Sequence, residues 1–240
     1  MKKFAPGLLP TLMAVPLVVT LLVLSAWQIN RYFWKVELLD NLNQQLSQAA
    51  VPLPAGNLNP QEWSYRRVTV TGTYLHDKEI HLFSHAVEGR KGFQIITPLQ
   101  RSDGKGIVLV NRGWVPEDRK TAVSRLEGNV AGEVTVSGIV RKPWGKSYSF
   151  MPESNKETNV WLYGELKDMG AYLKLDVAPV FVELDDDPVP GGYPIGGQTR
   201  ISVPNNHLAY SVTWLFLGGA LFCIYVIFGM RRAKELSSSE

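Results

Sequence analysis

Cysteine is almost missing from this chain: Cys223 is the only one in 240 residues, and it sits inside an apolar run. Intramolecular disulfides, CxxC redox chemistry and thiolate metal sites go with it. Histidine is scarce too, with four in all. No block of charge of one sign stands out, because the segment between the terminal apolar runs balances 20 Lys and Arg against 20 Asp and Glu. The net charge of +3 therefore comes from the two ends, and nothing recommends nucleic acid as a partner. Also missing is a nucleophile beside its base, or a cluster of metal ligands at workable spacing, so the chain does not read as an enzyme.

What the chain does have is two membrane-length apolar runs at its ends, 8–29 and 208–228. At about 1.5 Å per residue, each crosses the roughly 30 Å hydrocarbon layer as a helix. Lys2 and Lys3 precede the first run, and Arg231, Arg232 and Lys234 follow the second. Such basic flanks place both termini in the cytoplasm and the middle of the chain on the other side of the membrane, with Arg31 and Lys35 as the opposing charges. A cleaved signal peptide is the alternative for the first run. Its length, and the bulky Trp27 where a small residue is wanted for cleavage, favour a retained anchor.

The expected organisation is a tail and first membrane helix over 1–30, an extracytoplasmic β-rich domain over 31–206, a second membrane helix over 207–229 and a cytoplasmic tail over 230–240. Trp34, Leu38, Leu42 and Leu46 recur at near-helical spacing, which predicts an amphipathic extension of the first helix over 31–48, ending before Pro52. In the middle, Val68, Val70, Gly72 and Tyr74 alternate with Thr69, Thr71 and Thr73, the period of a half-buried strand. Further strands are predicted at 79–84, 92–99, 107–115, 134–141, 160–163 and 179–184, with a short helix at 165–175 and an extended loop at 185–197. The fold class is thus α+β: two terminal transmembrane helices flanking a mostly antiparallel curled sheet or open barrel.

Few side chains offer chemistry. His76 and His81 diverge on an extended strand, while His81 and His85 share a face about 13 Å apart, too far for one metal unless the strand bends. Gly191, Gly192, Gly196 and Gly197 lack the strand-to-helix setting and the lysine of a nucleotide loop, and read as turn formers. Asp185, Asp186 and Asp187 read as a solvated run more readily than as a calcium site. The entrance to the second apolar run differs. Asn205 and Asn206 are good helix caps, and His207, Tyr210, Ser211 and Trp214 share one helical face. If the helices pair, Trp27, Gln28 and Arg31 reach the same depth, and small residues at Ser25, Ser211, Gly218 and Gly219 permit close approach. A histidine there is either a haem ligand or a packing residue bonded to the Asn-rich turn, with the aromatics as interfacial anchors. In the first case Arg31 and Arg200 are the cations for the propionates, and a haem with a long apolar tail has reason to sit between the helices.

The segments LSAWQINRYFWK (24–35), VNRGWVP (110–116) and NNHLAYSVTW (205–214), with GFQIITPL (92–99) and PGGYPIGG (190–197) in the same order, resemble the signatures of the Surfeit-locus-one family. That resemblance implies an assembly factor of cytochrome c oxidase, acting on haem a for the catalytic subunit, with haem a synthase and the lipid bilayer as further partners. It also implies that His207 is the axial ligand of haem a, with Tyr210, Trp214, Trp27 and Gln28 around it. Ser25 stands where the family motif usually has glycine, and Ala209 where it often has glutamine. A scaffold that grips the nascent oxidase subunit without touching haem is the second reading.

Overall fold

The computed structural model describes residues 4–56, 58–85, 90–199 and 204–238. Arg200 and the side chain of His85 lie outside the described residues. The chain divides into two compact units, one of residues 1–41 with 202–240 and one of residues 42–201.

The first unit is built on two long helices, α1 (Leu8–Ser47), whose last residues from Leu42 belong to the second unit, and α4 (His207–Ser238), both long and apolar enough to cross a membrane. At 40 residues, α1 extends about 60 Å, twice the hydrocarbon thickness. The helix runs on through the expected extension over 31–48 as far as Ser47, because nothing between Ile29 and Ser47 stops it, and it ends before Pro52. Likewise α4 continues through the basic segment at 231–234 to Ser238. Their contacts run in opposite senses: Ala5 N–H donates to Gly229 O (3.1 Å), Thr11 meets the Tyr225 hydroxyl (2.8 Å), and Ser25 meets Ser211 (2.9 Å). The two helices form an antiparallel pair whose outer surface is apolar, with Leu8 78% and Phe216 74% exposed. Gly218 faces Leu21 at van der Waals distance, whereas Gly219 has nothing nearby and plays no part in the close approach.

In the second unit eight strands appear in chain order: β1 (Val51–Pro52), β2 (Arg67–Tyr74), β3 (Ile80–His85), β4 (Lys91–Arg101), β5 (Ile107–Pro116), β6 (Glu133–Arg141), β7 (Val160–Trp161) and β8 (Val177–Leu184). The sheet runs β2-β6-β8-β5-β4 and returns to β2, so five strands close a barrel. All pairings within it are antiparallel except β5 with β8. Closure depends on Gly72, which pairs with Arg101: a Cβ there would stand 2.2 Å from the Gln100 carbonyl oxygen, so only glycine lets the seam shut. Strands β1, β3 and β7 extend the sheet from β2 and β4.

The alternation along β2 is realised, with Val68, Val70, Gly72 and Tyr74 buried. The barrel interior collects Val68, Val70, Leu99, Val108, Val110, Val140, Val180 and Val182 from all five strands. Strand β5 is buried on both faces, because a second apolar layer covers its outside: Leu109 and Phe181 pack with Ile80, Ile96, Trp161 and the helix α3 (Leu166–Leu173) through Leu166, Met169 and Leu173. A four-residue helix, α2 (Pro60–Trp63), capped by Asn59, completes the described elements.

Candidate functional site

Gln28 and His207 meet on the facing sides of α1 and α4. Gln28 lies one turn beyond Ser25, and His207 one turn before Ser211, so the stacked pairs share a single seam. Each serine hydroxyl also reaches the carbonyl of the other, Ser25 Oγ to Ser211 O and Ser211 Oγ to Ser25 O, both at 3.0 Å. Just above, His207 Nδ1 lies 2.7 Å from Gln28 Oε1. A carbonyl oxygen only accepts, so Nδ1 donates, and the neutral ring keeps its lone pair on Nε2. This is how metal-binding histidines are prepared: the outer nitrogen is held by an acceptor and the inner one left bare. The pair sits about 20 residues into α1, hence about 30 Å along it, a distance equal to the thickness of a hydrocarbon layer.

The surroundings are only partly those expected. Asn206 carbonyl accepts from Tyr210 N–H and so begins α4, while Asn205 Nδ2 donates to Tyr32 O (3.5 Å) and Lys35 Nζ to Pro204 O (2.6 Å). Lys35, read from sequence only as an opposing charge, thus ties the chain entering α4 to α1. Trp27 and Tyr210 are on the outside of the pair, about half exposed, and do not close over His207. Arg31 is exposed and stacks on Trp34, 4.5 Å from the ring centre. Trp214 is half-buried, and its indole N–H has no partner among the described residues. With the serine oxygens in contact there is no room for a macrocycle between the helices at that level. His207 Nε2 would be the ligand available to a haem iron, with Trp27 and Tyr210 as outward apolar cover.

The barrel contains a polar constellation the sequence did not disclose. Glu79 and Arg125 form a buried ion pair, and His81 Nε2 donates to the same carboxylate oxygen at 3.2 Å. Arg125 further donates to Arg119 O (3.2 Å) and Asn129 Oδ1 (3.3 Å). Burial raises the Glu79 carboxyl, but the bonds from His81 and Arg125 outweigh it and hold the group below the usual carboxylate range. His76, in a tight turn before β3, donates from Nε2 to Val130 O (2.9 Å) and turns Nδ1 toward Arg112 (3.4 Å). Burial lowers the His76 imidazole, and Arg112 and Arg125 add to this. The histidines at 76 and 81 therefore serve one hydrogen-bond network, and no metal-binding cluster occurs among the described residues.

The VNRGWVP segment explains the network's position. Gln94 pairs with Trp114 and Ile96 with Asn111, so β5 carries one residue too many and bulges at 112–113. Gly113 adopts φ +115 there, and a Cβ on it would stand 1.9 Å from Ile195 O. Asn111 Oδ1 accepts from Gly113 N–H (3.1 Å), Trp114 pairs with Ile195, and the bulge re-aims Arg112 into the protein.

An antiparallel pair of apolar helices at the chain ends and a closed five-strand barrel between them define the class: a barrel protein with two membrane-length helices. A sequence model of the SURF1 family matches residues 15–219. The chain is 38% identical over 215 residues to a SURF1-like protein of Drosophila melanogaster, covering 82% of this chain and 70% of that protein. It is 35% identical over 236 residues to a SURF1-like protein of Monosiga brevicollis, covering 93% and 88%. With Surfeit locus protein 1 of Homo sapiens it shares 35% over 218 residues, covering 84% and 71%. The chain belongs to the SURF1 family.

Proposed function

We propose that this protein is an assembly factor of cytochrome c oxidase that binds haem a through His207 Nε2 and helps deliver it to the catalytic subunit. The observation that carries the reading is the His207–Gln28 bond, which fixes the ring and leaves Nε2 bare. Family membership supports the assembly role. In this reading the haem supplies an iron for the imidazole and an apolar face for Trp27 and Tyr210, while Arg31 and Arg200 are the cations available to its propionates. Because the serine contact fills the seam at that level, a haem would be held by residues on the outside of the pair. The helices span a bacterial inner membrane with both termini cytoplasmic.

The filled seam also favours a second reading, in which the pair is a scaffold for the nascent subunit and His207 only packs. Purification from cells making haem a separates the two. The first reading expects haem absorption that His207→Ala abolishes or strongly shifts while the protein persists in the membrane. Unchanged absorption in the variant, or a wild-type protein without haem that still supports oxidase assembly, favours the scaffold.

A further inference from the structure

Arg112 is only 3% exposed, yet among the described residues no carboxylate lies within ion-pair distance of it. Its guanidinium donates to Gly128 O, stands 3.5 Å from Asn129 Oδ1 and stacks 4.9 Å above the Tyr74 ring. His76 Nδ1 lies 3.4 Å away, and these carbonyl, amide, imidazole and ring partners, none of them a carboxylate, balance a buried cation poorly. The nearby Glu79 is already held by Arg125. Tyr74 is 8% exposed, and its hydroxyl, sealed from water, has no hydrogen-bond partner among the described residues. A buried hydroxyl without a partner is costly, and something that binds can recover that cost.

Both residues line a cavity of about 200 Å³ among β2, β5, β6, β8 and the loop that follows β8. Its other walls are largely aliphatic, including Val134, Val136, Leu184 and Val189. Asp185 and Asp187 also line it. Asp187 is exposed, and the partly buried Asp185 is engaged by Arg67, so the buried charge without an ionic partner is positive.

We infer that this cavity is a binding site for a monocarboxylate on a short branched apolar body, its carboxylate taken by Arg112 and the Tyr74 hydroxyl. A free acid and the C-terminal end of a polypeptide with an aliphatic last residue share this chemistry. A multiply charged anion is disfavoured by Asp185 and Asp187, and an uncharged amide leaves the guanidinium unbalanced. Burial pushes the Tyr74 hydroxyl up to about 12, against the opposing charge of Arg112, so it stays a donor at neutral pH. The signature Arg112 then has a role in binding, through the bulge that turns it inward.

Calorimetric titration of the full chain in detergent tests this with isovalerate, N-acetylvaline, N-acetylvalinamide and inorganic phosphate. Saturable binding of at least one of the two acids is expected, with the amide and phosphate at least tenfold weaker. Tighter binding of N-acetylvaline points to a chain end, tighter binding of isovalerate to a free acid, and either supports the site. Arg112→Gln abolishes binding, but removing a buried network member can also unfold the barrel. Tyr74→Phe removes only the hydroxyl and keeps the ring against Arg112, so it keeps the fold and weakens acid binding about tenfold. No saturable binding of either acid, phosphate binding more tightly, or unchanged affinity in Tyr74→Phe overturns the proposal.

Discussion

The barrel and the helix pair arrange polar and apolar side chains in opposite ways. In the barrel the aliphatic groups are interior, and the polar groups that join them, Arg125, Glu79, His81 and Arg112, are buried in one hydrogen-bonded network. In the pair the apolar groups cover the outside, and the buried polar groups, Ser25 and Ser211, lie along a single seam with Gln28 and His207 next to them. A barrel in water gains by hiding apolar surface. A pair in lipid gains nothing that way and is joined by close packing and by polar contacts. The same residue type therefore carries different meanings: buried His81 is part of what holds the barrel, whereas His207 is kept at the edge of the seam with one nitrogen uncommitted.

The contrast breaks most sharply at Arg125. Arg125→Ala leaves Glu79 as an uncompensated buried charge, so the barrel loses about 3–5 kcal/mol, visible as a lower denaturation midpoint of the full chain. The helix pair should be untouched. A disulfide formed by Ser25→Cys with Ser211→Cys in a Cys223→Ser background is the check, since the serine oxygens stand 2.9 Å apart. Barrel unfolding without loss of that crosslink supports two separately held units.

A smaller effect is expected in the pair. Ser211→Leu drives a large side chain into the closed seam and weakens helix association by about 1–3 kcal/mol, while Gly219→Leu, facing open space, changes it by under about 0.5 kcal/mol. Forster transfer between labels on the helix ends reads both. Equal effects at the two positions would mean that the seam is misplaced.

The least effect, and the one confined to the barrel, is on pH. His76 titrates below its ordinary 6.5 in the fold, so the unfolded chain binds its proton first. Its contribution is complete above about pH 6.5 and is lost as pH falls toward the folded value. Glu79, held below 4.5, loses its contribution in the same direction at more acid pH. Asp185 opposes them weakly: burial, offset by Arg67 and reinforced by Asp187, raises its carboxyl, so its term favours the fold at low pH and is lost as pH rises. The melting temperature should fall between about pH 7 and pH 5, and His76→Gln should flatten that fall.

How much of this could be read from the residues follows from the range of the interactions. Strand alternation in β2 and the terminal apolar runs are local patterns and were legible. The closure of the barrel was not, because it rests on a pairing of β2 with β4 that Gly72 permits without announcing it. Faces assigned to His76 by strand alternation failed because the chain there is a tight turn and β3 starts only at Ile80. At the candidate site, His207 and the small residues Ser25 and Ser211 were found from helical spacing. Gln28 stood among the neighbours but its bond to the imidazole could not be foreseen, nor could the half-exposed setting of Trp27 and Tyr210.

Nitrogen-15 chemical shifts of labelled histidine in the full chain, reconstituted in lipid nanodiscs without haem, measure directly which nitrogen of His207 carries the proton. The wild-type spectrum should show His207 protonated on Nδ1 with Nε2 bare, and Gln28→Leu should release that preference. A His207 protonated on Nε2 in the wild type, unaffected by Gln28→Leu, would contradict the claim that Gln28 prepares this ring as a ligand.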